Sequence, residues 1–328
     1  MSRYVEAHAE PSGPGDARPT ALQIIKDEGL EGNLTDKVFL VTGASSGLGI
    51  ETGRALAATG AKVFLAVRDL ERGKEACASF LEPGRVELLE LDVSKLNSVR
   101  TAVATFLKKS PQLNVLVCNA GVMLIPKREE SEDGFEMQLS VNYLGHFLLF
   151  WLLKDTLIKS STPQFQSRLV NVSSSGHHAS EIIWGDFNSE RDYNPLKAYA
   201  QSKLAQVYQA SYIERHYGSN GLHALSLMPG SIASTNLARH ISPEVVEKMK
   251  MSPVMSKRMK NSEQGAATTV LAAVGKEWEG KGGEYLQDCA VATPEPFIPN
   301  LLGTVDHTHN EAQEDRLWEL TLKTLKLS

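Results

Sequence analysis

No two cysteines of this sequence stand close enough to form a redox or metal motif. Cys77, Cys118 and Cys289 are scattered through 328 residues and no CxxC occurs. That spacing argues against a disulfide scaffold or a zinc site and fits buried thiols in a reducing compartment. Positive charge is not in excess either. Lysine and arginine number 34 against 39 aspartates and glutamates, a net charge of -5, so a basic groove for nucleic acid is not expected. Long apolar runs are missing: FLLFWLL at 147–153 is far too short to span a bilayer. The opening MSRYVEAHAEPSGPGDARPT lacks the apolar core of a secretory signal. The tail reads LKLS and not a peroxisomal SKL. A cytoplasmic protein with no transmembrane segment is the expectation. Internal repeats and an interdomain linker are also absent.

What is present is a sizeable potential core, with 42% hydrophobic and 22% charged residues. Residues 1–20 are rich in proline, glycine and acidic groups and are expected to be a disordered tail. Residues 21–36 open with a short amphipathic helix, ALQIIKDEGL. From Lys37, aliphatic runs alternate with helical stretches: KVFLVTG, KVFLAVR, VELLELDV, NVLVCNAG, RLVNVSSS, GLHALSLMPG and GEYLQDC. Near-continuous Val/Leu runs suit strands buried on both faces, and their alternation with helices implies βαβ units. The expected fold is therefore α/β, a single doubly wound (Rossmann) domain over 37–300 with a mainly parallel seven-stranded sheet. A C-terminal helical tail follows at 301–328.

The first strand runs into VTGASSGLGIETG, with Gly43, Ser45, Ser46, Gly47, Leu48 and Gly49 at the strand–helix junction. The spacing TGxxxGxG is not GxGxxG, but its place suits a dinucleotide site. Glycines let the backbone turn and approach a pyrophosphate, and the helix start offers unpaired N–H groups. A turn with glycines for geometry alone is the plain alternative. The second strand ends in Val67, where an NAD site would need a carboxylate for the ribose hydroxyls. Arg68 follows, and a guanidinium there can grip a 2′-phosphate. Asp69 is better placed to cap the next helix. This favours NADP(H) over NAD(H), against the alternative of a solvated surface arginine.

Two Tyr-x-x-x-Lys pairs follow each other, Tyr193/Lys197 and Tyr199/Lys203. The first is interrupted by Asn194-Pro195, which removes a helix hydrogen bond and pushes Asn194 out of the α region. The second lies in an uninterrupted helical run, so its members share one face. A free tyrosine titrates near 10 and needs a shift of roughly three units, about 4 kcal/mol, to work near pH 7. A lysine cation about 4 Å away supplies about that much at an effective dielectric near 20.

The motifs TGASSGLG, CNAG, VNYLGHF, NVSSS, YAQSK and MPG, in this order, resemble the short-chain dehydrogenase/reductase superfamily over about Lys37 to Cys289. AVRDLERG and LELDVSKLNSVR are similar to its retinol-dehydrogenase-like and WW-domain-oxidoreductase-like branch. No WW module precedes the domain, so an adaptor role is not expected. The resemblance implies Tyr199 as acid/base and Lys203 as the ribose-binding lysine that lowers its pKa. It implies that Ser174, 25 residues before Tyr199, orients a substrate carbonyl, and that Asn142 holds a water on Lys203. It further implies Asp92 with Val93 at the adenine edge, and Asn119, Ala120 and Gly121 along the ribose. Pro229, Gly230 and Ile232 would bracket the nicotinamide, with Thr235 near its carboxamide or the pyrophosphate. Cys118 stands where asparagine is commoner in CNAG. Singly, each has a plain alternative as a cap, a strand end or a loop carboxylate.

Residues 236–262 stand where this family places a substrate lid. Met249, Met251, Met255 and Met259 there would suit an adaptable apolar pocket, or merely pack on the core. His177 and His178 could reach substrate or be solvated. The leading expectation is hydride transfer between NADP(H) and a carbonyl or alcohol carbon of a largely apolar small molecule. Reduction of C=C or C=N on the same residues is an alternative, and a dinucleotide-sensing interaction protein is another. Homo-oligomerisation stays open.

Overall fold

The structure is a computed structural model describing residues 2–232, 235–294 and 302–327. Strands form where the Val/Leu runs stand: β1 Val38–Thr42, β2 Lys62–Val67, β3 Val86–Glu90, β4 Val115–Cys118, β5 Ser167–Val172, β6 Leu222–Met228 and β7 Tyr285–Gln287. A two-residue β8, Ala290–Val291, completes one sheet of order β3-β2-β1-β4-β5-β6-β7-β8. The first seven strands are parallel. β8 returns antiparallel to β7, pairing Leu286 with Val291 and Gln287 with Ala290. Among the described residues the sheet thus has eight strands where seven were expected. The turn into β8 sets Asp288 and Cys289 at φ 52° and 60°, and two residues are too few to carry a periodic pattern.

Period-2 geometry sends alternate β1 side chains into two separate cores. Val38 and Leu40 join Phe64, Phe106 and Phe147 on one face. Phe39 and Val41 join Leu56, Leu65 and Leu271 on the other. Each fully buried side chain of this kind is worth about 1.5–3 kcal/mol of transfer free energy. Both faces being covered, β1 reads as an uninterrupted apolar run. The strand order reverses between β1 and β4, which opens a crevice beyond the carboxyl ends of these strands.

The N-terminal segment departs from the expectation of disorder. Residues Val5–Ala9 form a short helix, and Tyr4 is buried with its hydroxyl donating to Asp27 Oδ2 at 3.0 Å. Arg18 is 5% exposed. Its guanidinium donates to Asp16 Oδ1 (2.7 Å) and to the carbonyls of Gly13 (3.0 Å), Arg258 (2.9 Å) and Met259 (2.6 Å). One planar group with five donors thus finds partners some 240 positions away, which composition does not report.

The helix Glu311–Leu325 lies on helices Gly145–Ser160 and Pro195–Tyr217. Its Trp318 stacks on Tyr212 at 4.0 Å and meets Phe147 edge-on at 4.9 Å. Among the described residues no helix is long and apolar enough to cross a membrane.

Candidate active site

The helix Pro195–Tyr217 carries the tyrosine–lysine pair. Asn194 caps it, its Oδ1 accepting from the backbone N–H of Leu196 and Lys197 at 3.0 Å each, and Pro195 occupies the first turn. Tyr193 therefore lies outside the helix. Its hydroxyl donates to the Ile125 carbonyl at 2.6 Å and accepts from Gln138 Nε2 at 3.1 Å, which makes it a strut for a neighbouring loop. Tyr199 and Lys203 are each 3% exposed, with Lys203 Nζ 5.8 Å from the Tyr199 ring centre.

Lys203 Nζ donates to the Val172 carbonyl at 2.9 Å and to Gln206 Oε1 at 3.0 Å. Burial pushes its ammonium down to about 7. Burial also pushes the Tyr199 phenol up to about 12, opposed by a hydrogen bond with Ser174. The lowered tyrosine expected from the charge of Lys203 is thus not what the free cleft provides. Desolvation of both groups outweighs their attraction there.

Ser174 follows β5 and caps a short turn, its Oγ accepting from Gly176 N at 2.9 Å. His177 is fully buried and turned away from the cleft. Its Nδ1 donates to the Ser174 carbonyl at 2.6 Å, and its Nε2 meets Thr308 Oγ1 at 3.0 Å. Burial pushes its pKa down to about 3, so it stays neutral. His178 meets the Gly303 carbonyl at 3.1 Å. Both histidines fasten the serine turn to residues 303–308 and do not point at a substrate. The neighbouring Ser173 donates to the Lys203 carbonyl at 2.8 Å and ties β5 to the helix.

A cleft of about 510 Å³ opens above these residues. Gly43, Ser45, Ser46, Gly47 and Leu48 line one end, with Arg68 and Asp92–Val93 beyond. Asn119, Ala120, Gly121, Tyr199, Lys203, Pro229 and Thr235 line the rest. Gly43 has φ +71°, and a Cβ there would stand 2.8 Å from Ala120 Cα. A Cβ on Gly49 would come 2.3 Å from the Gly43 carbonyl, so this glycine sits beneath the turn rather than in the cleft. Ile232 packs on Gly265 and a Cβ on Gly230 would meet the Lys260 side chain at 2.9 Å; neither residue is among those lining the cleft. Asp92 Oδ1 accepts from the N–H and hydroxyl of Ser94, at 3.0 and 2.6 Å.

Asn142 sits in a widened π-turn, Ser140–Leu144, with its amide fully engaged. Its Oδ1 accepts from Val122 N at 2.9 Å, and its Nδ2 donates to the Val122 carbonyl (3.0 Å) and Ser202 Oγ (2.9 Å). The side chain braces the Gly121–Val122 loop against the tyrosine helix. Asp69 Oδ1 accepts from Arg72 N at 3.1 Å and caps its helix, leaving Arg68 to the cleft.

Among the cleft residues that escaped the sequence reading are Arg72 and Thr42. Arg72 lines the cleft from the first turn of the helix Leu70–Cys77, whereas Arg68 precedes that helix, so no helical spacing marked it. Thr42 Oγ1 accepts from the N–H groups of Asn119 and Ala120 at 2.9 and 3.0 Å, and holds the CNAG loop in place. Of the expected lid, residues 236–240 form a 3₁₀ turn, followed by helices Pro243–Met251 and Pro253–Arg258. Met251 is 75% exposed and Met259 is buried, Met255 borders a separate small hollow, and the Met249 side chain lies outside the described residues. Apolar lining comes instead from Val122, Ile125, Met137, Val141 and Leu237.

The residues fit a dinucleotide: a turn whose Gly43 and Gly47 carry no side chain, a helix start facing the cleft, and cations at one end. Residues 37–245 match the family described as short chain dehydrogenase. A short-chain dehydrogenase/reductase from Penicillium roqueforti, prx1, is 58% identical over 99% of this chain and 96% of its own length. Human retinol dehydrogenase 12 is 35% identical over 89% of this chain and 87% of its own. A crystal structure of an uncharacterised protein from Mycobacterium paratuberculosis aligns with TM-score 0.66 and 32% identity, covering 88% of this chain and 93% of that one. The chain therefore belongs to the short-chain dehydrogenase/reductase family, in its retinol-dehydrogenase-like branch, and is an oxidoreductase.

Proposed function

We propose that the protein moves a hydride between NADP(H) and a carbonyl or alcohol carbon of a largely apolar small molecule, with Tyr199 as the acid/base. The observation that carries this is the placing of Tyr199 and Lys203 on one buried helix face, at the floor of a cleft whose far end holds the glycine turn and Arg68. When bound, the nicotinamide supplies or accepts the hydride. Ser45, Ser46 and the helix start after Gly47 cradle the pyrophosphate. Arg68, joined by Arg72 from the following helix, reads the 2′-phosphate by charge-assisted hydrogen bonds. Lys203 offers its remaining N–H to the ribose, its other two being held by Val172 and Gln206.

The Tyr199 phenol, kept protonated near neutral pH by burial, donates its proton to the oxygen of a carbonyl being reduced. Ser174, hydrogen-bonded to Tyr199, offers the second polar contact to that oxygen. In the oxidation direction the phenolate takes the alcohol proton back. A relative named retinol dehydrogenase supports an alcohol/carbonyl pair. The alternatives lack comparable support, since a sensor has no use for a buried acid/base pair that costs stability. Consumption of NADPH and NADH over a panel of ketones, aldehydes and enones tests the reading. Turnover of ketones or aldehydes with NADPH, lost in Tyr199→Phe, is expected. Turnover of enones alone, or preference for NADH, would overturn it.

A further inference from the structure

The helix Pro195–Tyr217 continues its polar face past Lys203 into the core. Gln206 is fully buried and Gln209 is 2% exposed, one and two turns beyond the lysine. Gln206 Oε1 accepts from Lys203 Nζ at 3.0 Å. Its Nε2 has no hydrogen-bond partner among the described residues. A buried donor without a partner is costly. Turning the amide over would set NH₂ against the ammonium, donor against donor, so Lys203 dictates which end faces it. The glutamine is half satisfied because its oxygen is committed to the lysine. Gln209 also leaves its Nε2 without a partner among the described residues, but its Oε1 accepts from Asn171 Nδ2 at 3.1 Å and it has no hydrogen bond with Lys203, so only Gln206 can act on the lysine directly.

We propose that Gln206 is a positioning residue for the reaction: its side-chain oxygen aims Lys203 Nζ into the cleft and stabilises the ammonium over the amine. Two of the three Nζ protons are taken by Val172 and Gln206, and the third faces the Gly121 side, where a Cβ on that glycine would lie 3.7 Å from Nζ. The titratable groups facing Lys203 are Tyr199 on its own helix and His146 from helix Gly145–Ser160. His146 is held neutral by burial, which pushes it down to about 4. Among the described residues no carboxylate forms a salt bridge with Lys203, so the neutral oxygens of Val172 and Gln206 are its stabilising partners.

The inference rests on the reading that the cleft takes a nicotinamide dinucleotide, and two measurements keep the two apart. NADPH fluorescence titrations from pH 5.5 to 9.5 give the midpoint at which affinity falls as Lys203 loses its proton. Urea unfolding over the same range, with no dinucleotide present, gives the same ionisation from the folded protein. Gln206→Leu should lower the midpoint by about one pH unit or more in both. Gln206→Glu, which adds a carboxylate, should raise it. Gln209→Leu removes an equally buried glutamine and should leave it in place. An unmoved midpoint in Gln206→Leu, or an equal shift in Gln209→Leu, would overturn the proposal. Should Gln206→Leu not fold, Gln206→Met, which also lacks the oxygen, and Gln206→Glu decide it. If the wild type binds neither NADPH nor NADH, the cofactor reading fails, and the unfolding arm still decides the role of Gln206.

Discussion

Replacing Lys203 by methionine removes a buried charge while nearly keeping the volume. Burial lowers this lysine from an ordinary 10.5 to about 7. Between those values the unfolded chain holds a proton that the folded protein does not. The penalty for burying this group is therefore complete below pH 7, shrinks as pH rises, and is gone above 10.5. From pH 6 to pH 9 the wild type should recover roughly two units of this penalty, about 3 kcal/mol. Lys203→Met has no such ionisation. It does strand the Val172 carbonyl and Gln206 Oε1, at about 1–3 kcal/mol each, but equally at both pH values. The variant should thus compare better with the wild type at pH 6 than at pH 9, by about 3 kcal/mol. Urea unfolding followed by tryptophan fluorescence, without cofactor, measures the two differences. Should they agree within about 1 kcal/mol, Lys203 is not held down by burial, and the electrostatic account of the site is wrong.

Other expectations follow from single contacts. Arg68→Ala should weaken NADPH by about 1.5–3 kcal/mol in binding titrations and NADH far less, and equal losses would show that Arg68 does not read the phosphate. Tyr199→Phe should remove nearly all turnover with NADPH binding largely kept, while Tyr193→Phe, which loses its contacts with Ile125 and Gln138, should stay near wild type; the reverse pattern refutes the helix assignment. Arg18→Gln strands carbonyls of residues 13, 258 and 259 and should cost more than about 2 kcal/mol in urea unfolding, whereas a free tail would show no change.

The strands of the sheet were legible because strands covered on both faces are largely apolar, as β1, β2 and β4 are, while β5 and β6 keep a Val/Leu run broken by the buried Arg168, Asn171, His223 and Ser226. The choice between two tyrosine–lysine pairs was legible because Pro195 can start a helix but not sit inside one. What escaped depends on long-range partners. Arg18 looked like part of a polar tail, yet its donors are answered by carbonyls from the far end of the chain. His177 looked like a loop residue at a cleft and is instead a buried brace, since Thr308 waits for it. The lid methionines carried no mark of which would face inward. The charge argument for Tyr199 used attraction alone, and the cost of taking both groups out of water could not be read without knowing how deeply they sit.

The contact of Trp318 with Tyr212 and Phe147 also bears on the order in which the chain is made. The helix bearing Tyr199 and Lys203 leaves the ribosome about a hundred residues before the helix that roofs it. At translation rates of about 5–20 residues per second, that interval lasts several seconds. During it the sheet can form and seat one side of the catalytic helix, but aromatic surface on its outer side stays wet until residue 325 has emerged. A nascent chain stalled before Glu311 would therefore display a sticky apolar stripe beside an otherwise assembled cleft, a natural target for chaperones.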